Sequence, residues 1–286
     1  MKLGCLMKFL GDMKDEINIK LSWAKENGFN DLEIGGRNIE YFAMLKDAKK
    51  KYELNIVALN FCFNFLINNQ KEQIEYINDL KKIITIAREI GAKVVVTATG
   101  RNPEMNLDSN LNLYKEIFTP IVEFAEKEEI KLAFENSAFL GRYRGFPIGN
   151  IATSPFMWEK IFKILPSKNV GLTLDPSHLI WQFINPYRAI KDFSKYIIHV
   201  HAKDTEILSE KLSFSGSLDD GSWHRNRLPG FGEINWSKFI SLLIEYNYDG
   251  LLSIETIDPI WGNVAEDDFG KKGILLARSF FKSMMS

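Results

Sequence analysis

Four segments of the chain alternate apolar and small or polar residues and then reach an ionisable one. They are Leu132-Ala133-Phe134-Glu135, Gly171-Leu172-Thr173-Leu174-Asp175, Ile198-His199-Val200-His201-Ala202-Lys203 and Leu251-Leu252-Ser253-Ile254-Glu255. An extended strand points successive side chains to opposite faces. If Leu132, Phe134, Leu172, Leu174, Ile198, Val200, Leu252 and Ile254 share the apolar face, then Glu135, Asp175, His201 and Glu255 share the other, with Lys203 beside them. Carboxylates gathered away from water repel one another, and each is costly to bury unpaired. A divalent cation relieves both costs. Three carboxylates and one imidazole suit Mn²⁺, Mg²⁺ or Co²⁺, whereas Zn²⁺, an alternative, prefers fewer ligands and more nitrogen or sulfur. Any one of these residues alone reads as a cap carboxylate or a satisfied core histidine. Four in one phase read as a metal-ligand set. His199, one layer deeper than His201, is expected to hold a core hydrogen bond.

The elements that must position these groups recur along the whole chain. Strand-like apolar runs fall at residues 3–7, 31–35, 55–61, 93–99, 131–135, 170–175, 196–203 and 250–256. Amphipathic, helix-like stretches lie between and after them, at about 14–27, 39–52, 71–90, 111–129, 154–165, 187–193, 236–246 and 264–283. Strands that alternate with helices make a parallel sheet, and eight such units in 286 residues imply an α/β chain folded as one (β/α)₈ TIM barrel spanning 1–286. A doubly wound open sheet is the competing arrangement, but no Gly-x-Gly-x-x-Gly or P-loop follows any strand. Gly28, Gly91 and Gly250 stand where helices should stop before a strand, and Ser154-Pro155 reads as an N-cap with proline at the first helical position. Two long loops, residues 136–153 and 204–235, follow strands. In a barrel they lie on the face that carries catalysis.

Composition narrows the classes. Lys and Arg number 36 against 37 Asp and Glu, so no basic surplus favours nucleic acid. Hydrophobic residues make up 45% of the chain and charged residues 26%, an ordinary globular balance that excludes wholesale disorder and fibres. Cys5 and Cys62 make no disulfide framework. No run approaches the roughly 18 apolar residues of a membrane span, and residues 1–8 do not resemble a secretory leader. The expectation is a cytoplasmic protein that acts on a small molecule, without nucleic-acid or membrane partners, and compatible with a homo-oligomer.

At these residues the sequence resembles the sugar phosphate isomerase/epimerase family, the xylose isomerase-like TIM barrels. The resemblance is carried by Ala133-Phe134-Glu135-Asn136, Gly149-Asn150-Ile151-Ala152-Thr153-Ser154-Pro155 and Leu174-Asp175-Pro176-Ser177-His178. It continues through His199-Val200-His201-Ala202-Lys203-Asp204, Arg227-Leu228-Pro229-Gly230-Phe231-Gly232-Glu233 and Ser253-Ile254-Glu255. It implies one divalent metal ion, Mn²⁺ first, held by Glu135, Asp175, His201 and Glu255. It also implies that Glu135 and Glu255 are the acid/base pair and that His178 contacts substrate. Residues 137–144 lack the carboxylate that ketose 3-epimerases place about six residues beyond their first metal glutamate, which speaks against that particular activity. With four histidines in total, the chain is also short of ligands for a three-metal DNA-repair site.

The chemistry that follows is carbon-acid chemistry on a small sugar, sugar phosphate or polyol. The cation polarises a carbonyl and its neighbouring hydroxyl, Glu135 or Glu255 removes the acidified proton, and an enediolate results. Proton return gives epimerisation or isomerisation. Loss of a β-hydroxyl instead makes the protein a lyase, a dehydratase of a keto-polyol resembling inosose dehydratase. A non-catalytic carbohydrate-binding subunit is the reading from another class. Lys203 is expected either to stabilise the oxyanion or to pair with a barrel carboxylate. Arginines concentrate in the two long loops, at Arg142, Arg144, Arg225 and Arg227. At least one of Arg225 and Arg227 is expected to hold an anionic substrate group. Trp223, Phe61 and Phe63 are candidates for an apolar wall against the sugar.

Overall fold

The computed structural model describes residues 1–9, 14–36, 39–138, 149–218, 221–263 and 268–285. The eight apolar runs become eight parallel strands: β1 (Lys2–Phe9), β2 (Asp31–Gly36), β3 (Asn55–Asn60), β4 (Val94–Thr97), β5 (Lys131–Glu135), β6 (Val170–Leu174), β7 (Ile197–Ala202) and β8 (Leu251–Ile254). Each pairs with its neighbours in sequence order, and β1 closes the ring against β8 through Lys2↔Leu251 to Cys5↔Ile254. The protein is a (β/α)₈ TIM barrel.

Alternation decides what lies inside. Leu132, Phe134, Leu172, Leu174, Val200, Leu252 and Ile254 join the large apolar cluster between the strands and the helical shell. Ala58, Val94, Val96 and Ala133 form a separate small cluster within the ring. The inward face is thus lined by small residues below and by polar groups above. Register brings those polar groups together across strands, with Ser253 opposite His201 and Thr173 opposite His199.

The helices show why the shell forms where it does. In Gln70–Ile90, Leu80, Ile83, Ile84, Ala87 and Ile90 are buried at helical spacing. The Asn69 side chain accepts from the N–H groups of Lys71 and Glu72, and Gly91 ends the helix at φ +79°. Elsewhere the expected punctuation is revised. Pro155 opens its helix, but the Ser154 hydroxyl makes no capping bond. Before β8 the left-handed residue is Asn247, at φ +58°, rather than Gly250. The helix expected from 111 begins a turn earlier, at Leu107, because Asn106 caps it by accepting from Ser109 N–H. The last helix is Asp268–Met285, and residues 264–267 of the expected span lie outside those described.

The second long loop is not plain loop. Asp204–Ile207 pairs antiparallel with His224–Arg227, and a short helix, Ser209–Ser215, lies between them. Asp204 anchors this excursion. Its carboxylate accepts from Thr205 N–H (2.9 Å), Gly230 N–H (3.1 Å), Ile234 N–H (3.2 Å) and the Trp236 indole (2.8 Å). A Cβ on Gly232 would stand 2.3 Å from both Asp204 Oδ1 and Thr205 O, so the turn closes over the carboxylate only with glycine there. Asp204→Ala leaves these donors without their acceptor and is expected to cost on the order of 3 kcal/mol. Thermal unfolding checks this: the Tm should fall by several degrees, while exposed Asp249→Ala leaves it nearly unchanged.

Candidate active site

The four groups singled out by strand phase converge at the carboxyl end of the barrel. Ligand atoms of Glu135, Asp175, His201 and Glu255 lie within 4.8 Å of one another, and all four side chains are buried. His201 Nδ1 stands 3.1 Å from Glu135 Oε1 and 3.6 Å from Glu255 Oε2. Asp175 Oδ1 accepts from Ser177 N–H (2.9 Å) and Ser177 Oγ (2.6 Å), which leaves Oδ2 directed at the cluster. Asn136 fixes the strand end that carries Asp175. Its Oδ1 accepts from Asp175 N–H at 2.7 Å, and its Nδ2 donates to the Asp175 carbonyl at 3.0 Å. Asn150 does the same for β5, donating to the carbonyls of Glu135 and Ser137.

The positive charge these acids need is in part supplied by the chain itself. The Lys203 ammonium lies 2.6 Å from Asp175 Oδ2 and 3.1 Å from Glu255 Oε2, so its ion pair with barrel carboxylates is realised. Lys8 of β1 reaches Glu255 Oε1 at 2.6 Å. Lys203 Nζ also approaches His178 Nε2 at 3.1 Å, on the short helix Ser177–Ile180. A second charged layer lies beneath. Glu33 of β2 meets His199 Nε2 at 2.8 Å, so His199 does hold the expected core hydrogen bond, and it also meets His201 Nε2 at 3.0 Å.

These contacts set the protonation pattern. Burial pushes the Glu135 carboxyl up, but the His201 hydrogen bond and charge prevail and bring it down to about 2. Burial likewise opposes ionisation of Glu255, and Lys203 and Lys8 overcome it, holding that carboxyl well below the usual range. Burial and then the Lys203 charge lower His178 to about 4, so its imidazole is neutral at pH 7. Oxygen-rich donors with one imidazole, crowded to this separation, fit a divalent metal ion.

The expected substrate contacts divide. His178 and Lys203 lie at the cluster. Arg225 and Arg227 both meet carboxylates of the chain itself. Arg225 Nε pairs with Glu206 at 2.7 Å, and Arg227 bonds both Glu206 (2.5 Å) and Asp258 (3.0 Å). Phe61 is 1% exposed and packs its ring on Phe63, 4.5 Å away, within the shell core rather than as an open wall. Trp223 is 2% exposed, stacked on Phe183 and clustered with Ala138 and Trp181. In the same cluster Trp181 lies 6.3 Å from His178 and stacks in parallel on His224 at 4.7 Å. Arg142 and Arg144 lie outside the described residues. Sequence reasoning missed Lys8 and Glu33. For Glu33 the signal was present, since Leu32 and Ile34 bracket it as apolar residues bracket Glu135's neighbours.

Comparison with known proteins defines the class to which this barrel and site belong. Residues 21–277 match the xylose isomerase-like TIM barrel family, and the chain belongs to that family. It is 27% identical over 261 residues to the inosose dehydratase of Clostridium beijerinckii, covering 84% of this chain and 82% of the relative. An uncharacterized protein of Methanocaldococcus jannaschii is 30% identical over 234 residues, covering 78% of this chain and 70% of that protein. Among solved structures, a D-tagatose 3-epimerase-like protein superposes with a TM-score of 0.74 at 23% identity, covering 100% of this chain and 97% of the other.

The lowered His178 has a consequence for stability in the metal-free protein. The unfolded chain binds this proton near pH 6.5 and the folded chain only near 4. Falling pH therefore favours unfolding across that window, by about 3 kcal/mol in all. Urea unfolding at pH 7 and pH 4.5 is expected to show a smaller acid loss in His178→Gln than in the parent. Equal losses would contradict the assignment.

Proposed function

We propose that the protein is a divalent-metal-dependent enzyme that takes a proton from the carbon beside the carbonyl of a small sugar, sugar phosphate or polyol and returns it, as an isomerase or epimerase. The observation that carries this reading is the meeting of the Glu135 and Glu255 carboxylates at His201 Nδ1, with Asp175 completing the group, at the carboxyl mouth of the barrel. Glu135, Asp175, His201 and Glu255 would hold the metal, Mn²⁺ first, with Mg²⁺, Co²⁺ or Zn²⁺ as alternatives. When bound, the ion supplies Lewis acidity to the oxygens next to the reacting carbon. Glu135 and Glu255 are the groups that take and return the proton, since both are ionised and face the mouth. Lys203 is placed to offset negative charge developing on substrate oxygen, and neutral His178 beside it to hydrogen-bond a hydroxyl.

Dehydration of a keto-polyol is the second reading, and two observations favour it. Curated relatives that align along most of the chain are inosose dehydratases. The Lys203–His178 contact also sets an ammonium against a neutral imidazole beside the cluster, where the pair can hydrogen-bond a departing hydroxyl. Both readings share the first proton transfer and differ in what leaves.

Incubating the metal-loaded protein with a panel of ketoses and keto-inositols in D₂O separates them. Deuterium at a sugar carbon without loss of mass is expected for the first reading, and loss of water for the second. Neither change with any substrate, in protein shown to carry metal, would leave a binding subunit. Glu255→Gln is expected to lower kcat by at least about 10²-fold while the fold is kept. Chelation should abolish turnover, and added Mn²⁺ should restore it.

A further inference from the structure

Glu33 is completely buried, and its carboxylate is surrounded by donors. Oε1 accepts from Asn60 Nδ2 at 2.8 Å, Oε2 from His199 Nε2 at 2.8 Å, and both oxygens stand 3.0–3.1 Å from His201 Nε2. The opposite nitrogen of the same imidazole, Nδ1, faces Glu135 and Glu255. An ionised carboxylate only accepts, so the hydrogen between Glu33 and His201 belongs to Nε2. His199 obeys the same rule. Its Nε2 donates to Glu33, and its Nδ1 has no hydrogen-bond partner among the described residues. Asn60 and His199 thus hold Glu33 from two sides, while Glu33 holds one edge of His201.

We propose that Glu33 is a positioning residue: by accepting the Nε2 hydrogen of His201 it locks the ring and turns Nδ1 toward Glu135, Asp175 and Glu255, as the nitrogen offered to a bound cation. The last clause rests on the metal-dependent reading above, whereas the ring lock does not. Carboxylates behind a metal-ligating histidine set both ring orientation and ligand basicity, and their loss typically weakens metal binding 10- to 100-fold. A glutamine at position 33 offers one oxygen and one NH₂ group to three donors. At least one bond is lost, and a donor then faces a donor.

The test uses the full chain with ¹⁵N-labelled histidine, with His201→Gln to assign the signals and Mg²⁺ as a diamagnetic ion. Long-range ¹H–¹⁵N spectra of the parent are expected to show His201 protonated at Nε2 with and without Mg²⁺, and Nδ1 to shift when the ion is added. Calorimetry is expected to show Mn²⁺ affinity falling about 10- to 100-fold in Glu33→Gln. If that variant does not fold, Asn60→Ala, which removes one donor from Glu33, takes its place and should lower the affinity several-fold. An unprotonated Nε2 in the parent, or parent-like Mn²⁺ affinity in the variant, overturns the proposal. So do two ions per chain with one lost in His199→Gln, because Glu33 would then itself be a ligand. A parent that binds no divalent ion but keeps hydrogen on Nε2 removes the metal-dependent reading and supports the ring lock.

Discussion

The interior of this barrel is organised by the need to keep buried carboxylates compensated. Glu33, Glu135, Asp175 and Glu255 all point into a space closed by eight strands, where an unpaired charge would be severely penalised. Each is answered. Glu33 lies against two imidazoles, Glu135 against His201, Asp175 against Lys203, and Glu255 between Lys8 and Lys203. Charges therefore alternate from the floor of the site upward, with His201 joining the two layers. Removing one partner from such a network costs more than the pair contributes, because the other charge stays behind. The network compensates the charges at the mouth and keeps Glu135 and Glu255 ionised.

Much of this was legible before any coordinates. Apolar runs marked all eight strands, and on four of them parity chose the inward residues because a one-residue slip would turn Leu132, Phe134 and their counterparts into the barrel interior; Ile198, expected outside, packs on the interior cluster where a register shift interrupts the pairing of β6 and β7. Glu33 obeys the same parity in Asp31-Leu32-Glu33-Ile34-Gly35, but what it holds depends on partners on β7 that lie far away in sequence. Lys8 fell outside the apolar run because β1 continues past it to Phe9. The arginines make a related point. Residue type gives the ligand a guanidinium could hold, but not whether Glu206 and Asp258 already hold it. Pairings between distant segments are tertiary facts, and single-residue patterns do not carry them.

The same distinction applies to function. The acid cluster is supplied by strand ends whose geometry the barrel dictates. Around it lie the Trp181–His224 stack, the His178–Lys203 pair and the excursions that follow the strands. These sit on connections, where variation leaves the barrel intact.

Arg227 adds a constraint on that variation. Its guanidinium joins Glu206, on the hairpin after β7, to Asp258, in the segment after β8, while the Leu228 N–H donates to the same Asp258 carboxylate. Two neighbouring stretches of the rim are therefore stitched into one unit by a single side chain. Transplanting either stretch alone from a relative would cut that stitch and leave a buried carboxylate or guanidinium unmatched. Respecifying this mouth by exchange would require moving both stretches together, as one inheritable module.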